Sequence, residues 1–185
     1  MATKEITAWK QKAIYTLVAP ENFESQEVGK TFGSDPANLV GRRVDVSLKD
    51  LTDDRTKQHL KVILEVNNVK DDKAYTKFRK FEANQGYLHS KIRKGMSKVD
   101  YIGMLKLADA KVRVKVMAVT HKNAKTSQKK DILAKIAKAV EGYKDASLND
   151  FIQATLFGKL GTDIYHNTKN ICPISRVEVE EVKVL

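Results

Sequence analysis

Nine cations, Lys111, Arg113, Lys115, Lys122, Lys125, Lys129, Lys130, Lys135 and Lys138, fall between residues 111 and 140 against the single carboxylate of Asp131. That segment therefore carries +8 of the chain's formal net charge of +11. The chemistry open to such a set is neutralisation: ammonium and guanidinium groups displace the counterions of a polyanion and hold its phosphates. Lysine on an outer face is also the ordinary way a protein stays wetted, so no single one of these residues marks a site. Their density does, because so many like charges repel one another unless a polyanion or salt screens them. A second basic stretch, GYLHSKIRKGMSK at residues 86–98, adds Lys91, Arg93 and Lys94. A polar N-terminal arm, residues 1–12, adds Lys10 and Lys12, with Trp9 available to stack on a base or to pack on its own domain.

The residues that would do other chemistry are poorly spaced for it. Among His59, His89, His121 and His166 no two stand three or four apart, and His166 with Cys172 lacks the further ligands of a zinc site. Gly29-Lys30-Thr31 looks like the end of a phosphate loop, but the glycine required five positions before Gly29 is Glu24. Nucleotide hydrolysis is rejected on that ground, and Lys30 remains a candidate phosphate contact. Asp53-Asp54 and Asp71-Asp72 lie in turn-forming sequence, which accounts for them without acid-base work. Cys172 precedes Pro173 and reads as a buried structural thiol, and no nucleophile-elbow pattern occurs. The expectation is a protein with no catalytic residue, no metal and no cofactor.

The cations need elements to position them. Val112, Val114 and Val116 alternate with Arg113 and Lys115, a strand that turns one face inward and makes the other cationic. Ile132, Leu133, Ile136, Val140 and Tyr143 then gather on one stripe of a helix, with Ser127 as its expected cap. The link between them, THKNAKTSQ, exposes Lys122 and Lys125. Together these make a cradle for phosphates.

Elsewhere, Ala13 to Val18 is β-prone, and the residues from Glu21 to Asn38 read as irregular connection. After a Gly41 turn, LVGRRVDVSLKDL reads as a half-buried strand, and Gln58 to Val69 as another, joined through an Asp71-Asp72 turn to Ala74 to Phe81 in a hairpin. Leu88 and Ile92 suit a helix that ends at Gly95. Val99 to Leu107 forms a second hairpin with the cationic strand. Ser147 and Asp150 resemble a capping box before a helix bearing Leu148, Phe151, Ile152, Leu156 and Leu160. In the closing strand, Ile171 to Leu185, Val177 and Val179 keep one phase and Val182 and Val184 the other, so a bulge is expected at Glu180-Glu181. The fold class expected is α+β, a mostly antiparallel sheet or partly closed barrel with about three helices, forming a single domain over residues 13–185.

At 185 residues and 42% hydrophobic, the chain is long enough for a substantial core. The isoelectric point near 9.6 suits a nucleic-acid partner, and no apolar run reaches the roughly 18 residues that span a bilayer, so no membrane partner is expected. One cysteine and the absence of an apolar leader in MATKEITAWKQK point to the cytoplasm.

Several of these stretches, taken in order, resemble the archaeal and eukaryotic small-subunit ribosomal protein family called S-three-Ae, or eukaryotic-type S-one. They are IYTLVAPENF, VGKT, LVGRRVDVSLKDL, the basic hairpin and helix, and IYHNTKNICPISRVEVEEVKVL. The most specific is the strand from Gly41-Arg42 to Leu51, with Val46, Ser47, Leu48, Asp50 and Leu51 as in the family. Asp45 stands where that family has Glu, and Ile14 stands where an aromatic is common. The long tails of eukaryotic members are missing, so the resemblance is to an archaeal-type member.

The resemblance implies a structural role on the platform of the small subunit, near the rRNA 3′ end and the mRNA exit, with no reaction and no cofactor. It implies small-subunit rRNA, neighbouring ribosomal proteins and mRNA near the exit as partners, and a place in the cytoplasm within the subunit. Glu178, Glu180 and Glu181 are then a candidate protein-docking edge or a solvated face. The rival readings are an RNA-modifying or RNA-processing enzyme, or a free nucleic-acid-binding regulator, using the same basic surface.

Overall fold

Alternating apolar residues make the strands, and the computed structural model describes residues 12–52 and 54–185. Of the expected arm at residues 1–12, residues 1–11, with Trp9 and Lys10, lie outside the described residues, while Lys12 is exposed. The chain divides into two compact units, one ending at Arg79 and the other spanning Lys80–Leu185.

The first unit contains β1 (Ala13–Val18), β2 (Glu27–Gly33), β3 (Arg43–Ser47), α1 (Leu48–Thr52), β4 (Leu60–Lys70) and most of β5 (Lys73–Ala83). β1 lies antiparallel to β2 and parallel to β5, while β4 joins β3 to β5. Tyr15 and Leu17 point to one side of β1 and meet Leu39, Val66 and Ala74 in a buried cluster. Gly41, at φ 83°, makes the turn expected before β3, and Asp71, at φ 52°, makes the one expected before β5.

Two expectations change in this unit. The supposed connection from Glu21 to Asn38 contains β2, whose exposed residues include Glu27, Lys30 and Phe32 and whose Gly33 lies where an added Cβ would sit 2.9 Å from Leu39. Arg42 ties β2 down, donating to Thr31 Oγ1 at 2.6 Å and to the Phe32 carbonyl at 2.9 Å. The strand expected to run on to Leu51 stops at Ser47, because Leu48 and Leu51 bury themselves at helical spacing in α1.

The second unit contains the end of β5, α2 (Gln85–Ser90), β6 (Lys98–Lys106), β7 (Lys111–Thr120), α3 (Thr126–Glu141), α4 (Leu148–Leu156), α5 (Lys159–Thr168) and β8 (Ile174–Val184). Its strands are antiparallel in the order β5, β8, β7, β6. Lys115 faces Glu181 and Val116 faces Val179, so Glu180 is the extra residue of a bulge, which brings Val177, Val179, Val182 and Val184 opposite Ala118, Val116, Val114 and Val112. That is the bulge the phase change required. α3 packs on β6 and α5, and α5 packs on β8, burying Ile132, Ile136, Leu160 and Ile164.

Helices are more numerous than expected: the described residues contain five, α1 to α5. The helix read from Leu148 to Leu160 is two, because Gly158 takes φ 77° and restarts the chain as α5. Its start is as expected, with Ser147 Oγ accepting from the Asp150 amide at 3.1 Å. α2 ends at Ser90, ahead of Gly95, and α3 begins one residue before Ser127, with the Lys125 amide donating to Gln128 Oε1 at 3.0 Å. The architecture is α+β and mostly antiparallel, and the sheet stays open at β2, β3 and β6 instead of closing into a barrel.

Candidate nucleic-acid interface

The second unit brings two basic loops to one end of β6 and β7. Thr120, the last residue of β7, donates its hydroxyl to the Lys122 carbonyl at 2.7 Å and accepts from the Ser97 amide at 3.0 Å. Ser97 Oγ in turn accepts from the Ala124 amide at 3.0 Å. Thr120 and Ser97 are buried, so the loop carrying Lys91, Arg93 and Lys94 is fixed beside the loop carrying Lys122 and Lys125. His121 extends the anchor by donating its amide to the Pro173 carbonyl at 2.9 Å. Lys129 and Lys130 follow on the first turns of α3. Arg93, Lys94, Lys122, Lys125 and Lys130 are exposed, Lys91 and Lys129 half-buried, and Lys91 holds its ammonium 4.6 Å from the centre of the Tyr87 ring. None of the seven belongs to an ion pair among the described residues.

Lys111 is not part of this group. It starts β7 opposite Lys106, and the ten residues of the strand separate it from Thr120 by about 30 Å. The cradle read from the sequence is thus two basic surfaces, one at each end of β7.

Between them, Arg113 and Lys115 occupy the open face of the strand but are already engaged. Glu181 Oε1 accepts from Arg113 Nη2 at 2.8 Å, its Oε2 lies 2.8 Å from Lys115 Nζ, and Lys80 stands 3.9 Å away while also pairing with Glu82. Burial works to raise the Glu181 carboxyl, but the hydrogen bonds from Lys115 and Arg113 and the charge of Lys80 outweigh it and hold the group at about 2. Three cations around that carboxylate leave the cluster basic, yet Arg113 and Lys115 present less free charge than their sequence suggests.

The three candidate docking glutamates are all paired within the unit. Glu178 accepts from Arg176 at 3.3 Å and from the Tyr87 hydroxyl at 3.4 Å, Glu180 meets Lys98 at 3.1 Å, and Glu181 holds the cluster just described. Burial and the neighbouring Glu178 push the Tyr87 hydroxyl up. Sequence reasoning missed Ser97 and Thr120; the polar side chain of Thr120 at the end of the apolar run Val116, Met117, Ala118 and Val119 was the available signal. Among the described residues no three His, Cys, Asp or Glu side chains gather as a metal site, and no helix is long and apolar enough to cross a membrane. Among the described residues the arrangement offers fixed positive charge.

The family model described as the Ribosomal S3Ae family matches residues 1–185. The chain is 40% identical over 185 residues to a protein of Methanobrevibacter smithii named Small ribosomal subunit protein eS1, the alignment covering 96% of this chain and 93% of that protein. It is 41% identical over 182 residues to the protein of the same name from Archaeoglobus fulgidus, covering 96% and 86%. A third, from Haloarcula marismortui, is 36% identical over 174 residues, covering 93% and 82%. A match along the whole chain, with these relatives covering more than nine-tenths of it, places the protein in the Ribosomal S3Ae family.

Proposed function

We propose that the chain is a structural constituent of the small ribosomal subunit, held on rRNA by phosphate neutralisation and catalysing no reaction. The observation that carries this reading is the set of cations without ion-pair partners, among the described residues, at the Thr120 end of β7. Buried hydrogen bonds fix it, and Arg93, Lys94, Lys122, Lys125 and Lys130 lie in solvent. Fixed charge of this kind gives affinity and register without reading bases, which suits RNA recognised by its shape and backbone. The family and the names of its relatives support the assignment to the small subunit.

In this reading residues 13–185 act together as the rRNA-binding body, Lys10 and Lys12 of the arm add contacts, and Lys111, Arg113 and Lys115 form a subsidiary surface. The position is the platform, near the rRNA 3′ end and the mRNA exit, with neighbouring ribosomal proteins and the exiting mRNA as further partners and the cytoplasm as the compartment. Glu178, Glu180 and Glu181 are open to a docking protein only through what their internal pairs leave exposed. Sedimentation of lysate through a sucrose gradient tests the assignment. The chain is expected to travel with the small subunit and to resist moderate salt, and its recovery only as free protein would overturn it. The family and the names of its relatives favour this reading over the enzyme and free-regulator ones.

A further inference from the structure

The first unit carries a further basic surface, built differently from the two on β7. On β1, Tyr15 and Leu17 enter the core, so Ile14 and Thr16 take the opposite face. Strand register surrounds them. Ile14 lies opposite Phe32, Thr16 lies between Lys30 on β2 and Lys73 on β5, and Val18 lies between Glu27 on β2 and Tyr75 on β5. Ile14, Phe32 and Tyr75 remain 53%, 47% and 42% exposed, and Lys30 and Lys73 are exposed. Successive rows on one sheet face stand about 7 Å apart, so Ile14 with Phe32, then the two lysines about Thr16, then Tyr75 beside Val18 and Glu27 follow one another across the face. Farther along β5, Lys77 and Arg79 share Glu65 with Arg43, at 3.5, 3.5 and 3.4 Å, which leaves that corner positive as well.

Apolar side chains at this exposure would suit a protein partner if the patch core were free of charge, since docking interfaces deplete lysine at their centre. Here Lys30 and Lys73 occupy the centre, with one exposed ring on each flank, Phe32 and Tyr75. Duplex RNA offers phosphates but no base faces, because its bases are stacked within the helix, whereas an unpaired strand offers both. We infer that this face of the first unit's sheet is a platform for a single-stranded segment of RNA, with Tyr75 stacking on a base and Lys30 and Lys73 holding the adjoining phosphates. The inference deepens the ribosomal reading and rests on it for the identity of the nucleic acid.

The test measures binding of a short, unstructured oligouridylate and of a duplex RNA of similar length to the full chain by fluorescence anisotropy. Tyr75→Ala is expected to weaken the oligouridylate about fivefold or more and to leave the duplex unchanged, while Tyr75→Phe, which keeps the ring, stays within about twofold of the parent. Ultraviolet crosslinking of the bound oligouridylate is expected to label the peptide that contains Tyr75. Unchanged oligouridylate affinity in Tyr75→Ala, with a crosslink elsewhere, overturns the platform. If that variant folds normally but fails to enter small subunits while its RNA affinity is unchanged, the face is a protein dock and the inference is equally overturned. Either failure leaves the ribosomal assignment intact, because that is decided by where the unaltered chain sediments.

Discussion

Glu181 shows how far a residue's type can mislead about its task. In the sequence it is one of three acidic residues in a closing strand and reads as an acidic edge, yet in the fold its carboxylate sits among Arg113, Lys115 and Lys80. The partnership depends on cross-strand register and on the bulge at Glu180, and neither residue type nor spacing along one strand reveals which cation will stand opposite. Its carboxyl, held at about 2 against an ordinary value of 4.5, contributes stability that is present above about pH 4.5 and lost as pH falls toward 2. Glu181→Gln should therefore lower the unfolding free energy at neutral pH by on the order of 2 kcal/mol, after allowance for solvent screening. Urea titrations of both proteins across that window check this, with the difference between them shrinking on acidification. The same geometry ranks the cations. Lys122→Glu should weaken rRNA binding more than Lys115→Glu, because Lys115 spends much of its charge on Glu181 while Lys122 has no ion-pair partner among the described residues; filter binding of both variants decides it.

At the scale of elements, strong periodicity was legible and weak periodicity was not. β1 falls on the residues read from the sequence, β4, β6 and β7 fall within a residue or two, and the bulge in β8 follows from two valine pairs out of phase. β2 escaped because an edge strand with mostly exposed residues and two glycines carries little alternation; the pairing with β1 and the clamp from Arg42 make it a strand. The break between α4 and α5 escaped for another reason. Leu156 and Leu160 keep helical spacing across it, and only the left-handed backbone of Gly158 separates the two helices. An added Cβ at Gly158 would meet nothing within 4 Å, so the cost of Gly158→Ala is backbone strain alone, about 1 to 2 kcal/mol, visible as a melting point lowered by a few degrees. Ser147→Ala should cost about 1 kcal/mol through loss of the α4 cap and should show in the same scan.

For the whole molecule, the fold class was legible from composition and pattern, but the division into two units was not, since it falls between Arg79 and Lys80 inside β5, where no linker marks it. Nor was it legible that one strand would carry its cations to two separate ends. What survives at this scale is the charge itself, +11 on 185 residues, and it makes a prediction that needs no site map. If about six to ten cations meet phosphate, rRNA affinity should fall by about three to five orders of magnitude between ~50 and ~200 mM salt. The slope also separates the surfaces. Replacing Lys122, Lys125 and Lys130 together by Gln should flatten it by roughly one unit for each phosphate no longer neutralised, whereas the same change at Lys115 should flatten it little, because its charge already pairs within the protein. A shallow slope in the unaltered protein, or one insensitive to all four lysines, would mean that shape and apolar contact hold the chain on its RNA and that the excess of positive charge serves some other end.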